Sequence, residues 1–82
     1  MAVKIAVTVS LKDGVLDPQG KAVEHALHNL GFANVAEVRV GKVISFSMDV
    51  ADEAAARAQA DDMSRRLLAN TVIERFDVQV QP

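Results

Sequence analysis

The chain has no cysteine, tryptophan or tyrosine, and three phenylalanines are its only aromatic residues. Without thiols there is no disulfide, no thiolate nucleophile and none of the soft ligands that dominate structural zinc sites. A reducing compartment is compatible with that absence. Positive charge is scarce as well: nine Lys and Arg against eleven Asp and Glu leave a net charge of −2. This argues against a nucleic-acid partner, because neutralising phosphates takes a basic surface. No apolar run approaches the roughly 18 residues of a membrane span, and the start carries no signal-peptide pattern. Met1-Ala2 leads straight into an alternating stretch, so the mature chain is expected to begin there, as a soluble cytoplasmic protein. Glycine is sparse, and Gly14, Gly20, Gly31 and Gly41 match neither a Walker loop nor a dinucleotide fingerprint.

What is present is patterned. At 82 residues, half of them apolar, the chain reads as one domain over residues 1–82 with a thin core; a chain this short buries only about two-thirds of its unfolded surface. Val3, Ile5, Val7, Val9 and Leu11 alternate with Lys4, Ala6, Thr8 and Ser10, the period-two signature of a half-buried strand. From Pro18 the period becomes helical, with Val23, Ala26, Leu27 and Leu30 on one face. Gly31 marks the helix end, with Phe32 tucking back beneath it. Residues 35–40 and 44–50 read as two strands joined by a tight hairpin turn at Gly41-Lys42. Residues 52–69 form a second helix opened by Asp52 and Glu53, with Ala56, Ala60, Met63 and Leu67 sharing a face. A last strand over 71–80 points Val72, Phe76, Val78 and Val80 one way.

The predicted order is β-α-β-β-α-β, an α+β ferredoxin-like domain with two helices on one face of a four-stranded antiparallel sheet. Ala6, Thr8, Ser10, Val43, Ser45, Ser47 and Ile73 would line the uncovered face. A surface of small, mildly apolar groups fits docking against another subunit better than full exposure.

Catalytic constellations are hard to find. His25 and His28, at i and i+3, share part of a helix surface, but no third ligand stands at zinc-site spacing. Asp52-Glu53 and Asp61-Asp62 sit on a polar helix face with Arg57, Arg65 and Arg66 within ion-pairing reach, so they read as a salt-bridged surface. The serines have neither a nucleophile elbow nor a nearby base. Asp17, a helix-capping carboxylate, would repel an anion from the first helix entrance.

One passage is distinctive: Leu11-Lys12-Asp13-Gly14-Val15-Leu16-Asp17-Pro18-Gln19-Gly20-Lys21-Ala22-Val23, a strand exit, turn and helix entry. Asp17 suits the N-cap and Pro18 the first helical position, where its missing N–H is no loss. With Arg39-Val40-Gly41-Lys42 and Leu67-Leu68-Ala69-Asn70-Thr71-Val72-Ile73-Glu74, in the same order and spacing, the chain resembles the PurS subunit of phosphoribosylformylglycinamidine (FGAM) synthase over residues 3–80. Thr71 stands where many relatives carry proline.

The resemblance implies a non-catalytic subunit of a ligase complex in purine biosynthesis. That complex converts formylglycinamide ribonucleotide, glutamine and ATP to FGAM, glutamate, ADP and phosphate. It implies a homodimer or higher oligomer joining a PurQ-type glutaminase to a PurL-type synthetase and assisting ammonia transfer. No cofactor is expected in this chain; ATP and Mg would be used by the synthetase. Lys12, Asp17, Pro18, Gln19, Arg39, Lys42 and Asn70 are the candidate partner-interface residues on the same ground. Turn chemistry alone also accounts for Asp17-Pro18, solvation for Arg39 and Lys42 at a hairpin tip, and a left-handed helix stop for Asn70. The alternative from the residues themselves is a stand-alone dimeric ferredoxin-like module that binds a small molecule.

The isolated chain is expected to be inert. Calorimetry should show no stoichiometric ATP binding, and the purified protein should not hydrolyse glutamine; tight ATP binding would overturn this reading.

Overall fold

β1 (Ala2–Leu11) lies at the centre of a three-stranded antiparallel sheet of order β2-β1-β3, flanked by β2 (Lys42–Asp49) and β3 (Glu74–Gln81). The computed structural model describes residues 2–81, so Met1 and Pro82 of the expected 1–82 domain lie outside the described residues. The pairing is in register from Ala2↔Asp49 to Val9↔Lys42 on one side and from Lys4↔Gln81 to Leu11↔Glu74 on the other. Odd-numbered residues of β1 therefore share a face with Ile44, Phe46 and Met48 of β2 and with Phe76, Val78 and Val80 of β3. Val3, Ile5, Val7 and Val9 are almost wholly buried there, each contributing about 1.5–3 kcal/mol of burial.

The helix α2 (Glu53–Met63) covers that face, packing on β1 and β3. Asp52 caps it: its carboxylate accepts the Ala55 N–H at 2.7 Å. Ala56 and Ala60 have no exposed surface, so small side chains let the helix approach the valines closely. The helical spacing that would add Met63 and Leu67 to this face breaks down at Ser64–Leu68, a π turn closed by the Ala69 N–H bonding to the Ser64 carbonyl at 2.9 Å. The wider turn rotates the following side chains. Ser64 is buried, its hydroxyl donating to the Ala60 carbonyl at 2.8 Å, and Leu68 is half-buried, whereas Leu67 is 83% exposed. Arg65 and Arg66 pair with Asp61 and Asp62 as expected, but Arg57 instead donates to the Val78 carbonyl at 2.9 Å.

The first helix departs most from expectation. α1 (Pro18–Asn29) begins and ends as its sequence predicts. Gly31, at φ +103°, donates to the His28 carbonyl, and the Phe32 N–H bonds to Leu27, closing a Schellman motif. Yet α1 shares no extensive packing with any strand. Val23, Leu30 and Phe32 of its apolar side remain exposed, and Leu27 is half-buried. Residues 35–40 form no strand; they return alongside α1 and enter β2 through Gly41. The expected reversal at Gly41-Lys42 is absent, and Gly41 does not occupy the positive-φ region that it required. The sheet thus has three strands among the described residues, and one helix rather than two on its covered face.

The physical reason is a competing set of contacts. Residues 35–40 bond to α1: Glu24 accepts the Val38 N–H at 3.2 Å, Asp17 accepts the Val40 N–H at 2.8 Å, and His28 Nε2 lies 2.7 Å from the Val35 carbonyl. Together they make an arm beyond the sheet. The dimensions are 50 × 25 × 14 Å, with a radius of gyration of 16.1 Å, where a compact chain of this length would measure about 12 Å. The last strand is also shorter than predicted, because residues 71–73 are a turn and Val72 is 81% exposed.

Gly20 is the steric key to the arm. A Cβ there would lie 2.4 Å from the Val38 carbonyl oxygen and 2.8 Å from Asp17 Oδ2. Gly20→Ala would gain about 1 kcal/mol of helix propensity but force the arm apart at about 1–3 kcal/mol. Thermal unfolding should show net destabilisation; a higher melting temperature would mean that the arm is not held as described.

Candidate partner interface

The seven candidate residues meet at one end of the sheet, where β1 leaves it. Lys12 follows β1, and its N–H bonds to the Ile73 carbonyl at 2.8 Å. Lys42 opens β2 opposite Val9, and Asn70 lies in the turn before β3, whose Glu74 stands opposite Leu11. β2 starts antiparallel to β1 where β1 ends, so Lys42 and the α1 entrance are neighbours.

Asp17 organises this end. It is 6% exposed, and its two carboxylate oxygens accept different backbone donors: Oδ1 the Gly20 N–H at 2.8 Å and Oδ2 the Val40 N–H at 2.8 Å. The first bond is an N-cap; the second ties the arm's returning strand to its helix entrance. These bonds, Val40's foremost and then Gly20's, with Arg39 nearby, hold the carboxyl below its ordinary value against the opposing effect of burial. Pro18 occupies the first helical turn and Gln19 is exposed beside it.

Arg39 reaches the Lys12 carbonyl through Nη2 at 3.2 Å while remaining exposed, as does the Lys42 side chain. Asn70 is not left-handed: among the described residues Glu37 is the only non-glycine with positive φ. Its side-chain oxygen accepts the Val72 N–H at 3.2 Å and its carbonyl accepts the Glu74 N–H at 2.7 Å, so Asn70 builds the turn into β3. Glu74 returns the contact by accepting the Asn70 N–H at 2.6 Å.

Two clefts run past these groups. One of about 580 Å³ is lined by Asp13, Asp17, Lys21, Glu24, Glu37 and Arg39 among others; a smaller one, about 250 Å³, includes Asp17, Gln19, Lys42 and Glu74. Charges of both signs surround backbone-bonded carboxylates, an arrangement suited to polar recognition. His25 and His28 lie on the exposed side of α1, and no group of three His, Cys, Asp or Glu able to hold a metal occurs among the described residues. Glu24 and Glu74 belong to this site but were not singled out in the sequence. The isolated Gly20 inside a helix was the available signal for Glu24's setting, since it marks a close backbone approach.

Asp17→Ala removes acceptors from two ends of the arm and should lower Tm by roughly 5 °C or more. The pH dependence has a definite sign. A carboxyl held lower in the folded than in the unfolded chain contributes stability that is complete above the unfolded value and disappears as pH falls through the folded one. Acid titration should thus destabilise the parent below about pH 4 more than Asp17→Ala; equal acid sensitivity would contradict this role.

The PurS family model, described as phosphoribosylformylglycinamidine (FGAM) synthase, matches residues 4–82. The chain is 48% identical to the PurS subunit of Synechocystis over 83% of its own length and 68% of that subunit. It is 44% identical to the PurS subunit of Bacillus subtilis over 95% of this chain and 92% of the other. In three dimensions it is similar to a chain in the structure of PurLQS from Thermotoga maritima, with a TM-score of 0.90, 26% identity and 98% of each chain covered. The family model spans nearly the whole chain, and the chain belongs to the PurS family of FGAM synthase subunits.

Proposed function

We propose that this protein is the small, non-catalytic subunit of an FGAM synthase, and that it joins a PurQ-type glutaminase to a PurL-type synthetase. The carrying observation is its end-to-end likeness to a chain within the PurLQS structure. The ligase chemistry would lie in the partners. The glutaminase releases ammonia, and the synthetase, using ATP and Mg, activates the formyl-amide oxygen so that ammonia can displace it. Ammonia lost to water would be protonated and lose its nucleophilic lone pair, so a sealed contact between the two sites has a chemical purpose. A dimer of this chain supplies such a bridge, and the cytoplasm is the compartment that this substrate supply implies.

Polar recognition at the end of β1 is consistent with this role. Arg39 is the first candidate anchor: its guanidinium is exposed and makes one 3.2 Å bond to a backbone carbonyl, leaving donors for a partner carboxylate. Lys42 is a mobile rim charge suited to steering. Asp17 and Pro18 act indirectly, by fixing the helix entrance beside which Gln19 is exposed.

Tagged protein should co-purify with PurQ- and PurL-type subunits and be required for glutamine-dependent FGAM formation. Arg39→Ala should leave the dimer and Tm nearly unchanged while weakening assembly by about 1–3 kcal/mol, or roughly 5–150-fold in Kd. A variant that unfolds, losing assembly only for that reason, would make Arg39 structural. Failure to associate with either subunit would remove the proposed function.

A further inference from the structure

β3 forms an edge of the sheet, with β1 as its only neighbour among the described residues. The register shows which of its backbone groups face outward. The Lys12 N–H bonds to the Ile73 carbonyl, and in an antiparallel ladder hydrogen-bonded pairs alternate with non-bonded ones. Ser10↔Arg75, Thr8↔Asp77 and Ala6↔Gln79 are therefore the bonded pairs, and Phe76, Val78 and Val80 turn their N–H and carbonyl groups away from β1. One of these outward groups, at the middle of the strand, is taken by a side chain: Arg57 of α2 donates to the Val78 carbonyl at 2.9 Å. Arg65 follows about two turns later. Its guanidinium stands over Phe76, 5.4 Å from the ring centre, and is held by Asp61 at 2.9 Å.

We propose that Arg57 closes the outer edge of β3 against strand addition, and that the strand it excludes is β3 of a second copy. A strand joining this edge would lie about 4.8 Å away. The Arg57 guanidinium, within bonding distance of Val78, already stands in that space. It also takes the carbonyl that the incoming strand's central N–H would need, and its charge would have to be stripped of water for the strand to enter. The rest of β3 favours self-pairing. In the antiparallel register centred on Val78, Phe76 meets Val80, Asp77 meets Gln79 and Arg75 meets Gln81. No like charges oppose one another there, and the apolar side chains stay on one face. The strand has no proline, and its eight residues are long enough to act as a template. Arg57 is itself exposed, so its removal opens no void in the core. Its bond serves to restrict which edges associate, independently of the subunits that the chain joins elsewhere.

Arg57→Ala tests this in the full chain. The variant should keep the parent's circular dichroism. In sedimentation at high micromolar concentration it should form a species about twice the parent's mass or larger, increasing with concentration. Hydrogen exchange read by NMR supplies the location: the Phe76, Val78 and Val80 amides, which face away from β1, should exchange freely in the parent and become protected in the associated variant. A variant that keeps the parent's mass at every concentration would overturn the proposal. Association without new protection of those three amides would overturn it too, since the contact would then lie elsewhere. Protection of the same amides in the parent would mean that the edge is paired rather than closed. Loss of the fold in Arg57→Ala would make the Val78 bond structural and remove the proposed role.

Discussion

The carboxylate of Asp17 accepts one N–H from the start of α1 and another from the end of the returning segment, binding the two ends of the arm to one side chain. Both bonds depend on close approach. Gly20 permits it, because any side chain there would meet the Val38 carbonyl. Pro18 supports it by presetting the first helical φ without requiring a bond for its own nitrogen. Once closed, the latch determines where Arg39 and Lys42 emerge. Arg39 turns back over the Lys12 carbonyl, and Lys42 enters β2 opposite Val9. The candidate interface is therefore a consequence of an arm held at its root.

This arrangement separates stability from recognition. The core of β-branched residues and small alanines under α2 is confined to the sheet, whereas the candidate contact groups stand at its end on short turns and capped termini. That division lets the charged groups at the sheet's end change without leaving voids in the core. The paired ions on α2 fit the same picture: Arg65–Asp61 and Arg66–Asp62 are solvent-exposed and worth only about 0.3–0.5 kcal/mol each. They mark the outer surface of the helix whose buried side is Ala56, Ala60 and Ser64.

Local signals translated well into local structure. The alternation of Val3, Ile5, Val7 and Val9 became the buried face of β1, Asp17-Pro18 and Asp52-Glu53 became helix starts, and Gly31 became a left-handed stop. Where a reading required two segments to meet, it was less secure. Leu67 had the correct helical spacing for the core and lost its place because the π turn changed the residues per turn. Val35 to Val40 had strand composition, but a strand exists only when another strand bonds to it, and here α1 side chains take those donors. Asn70 sat where a helix terminator was plausible and instead shapes the turn into β3.

The sequence by itself determined the helix limits, the inward face of each strand and the motif residues that place the chain in its family. These follow from side-chain period, capping chemistry and turn preference, all of which act within a few residues. Tertiary structure alone decided that Gly41 would not reverse, that α1 would leave the sheet and that all seven candidate residues would gather at one end. Those outcomes turn on which of two partners a backbone N–H finds. The difference lies between a carboxylate 23 positions away in the chain, as for Asp17 and Val40, and a neighbouring strand, and no local pattern encodes that choice.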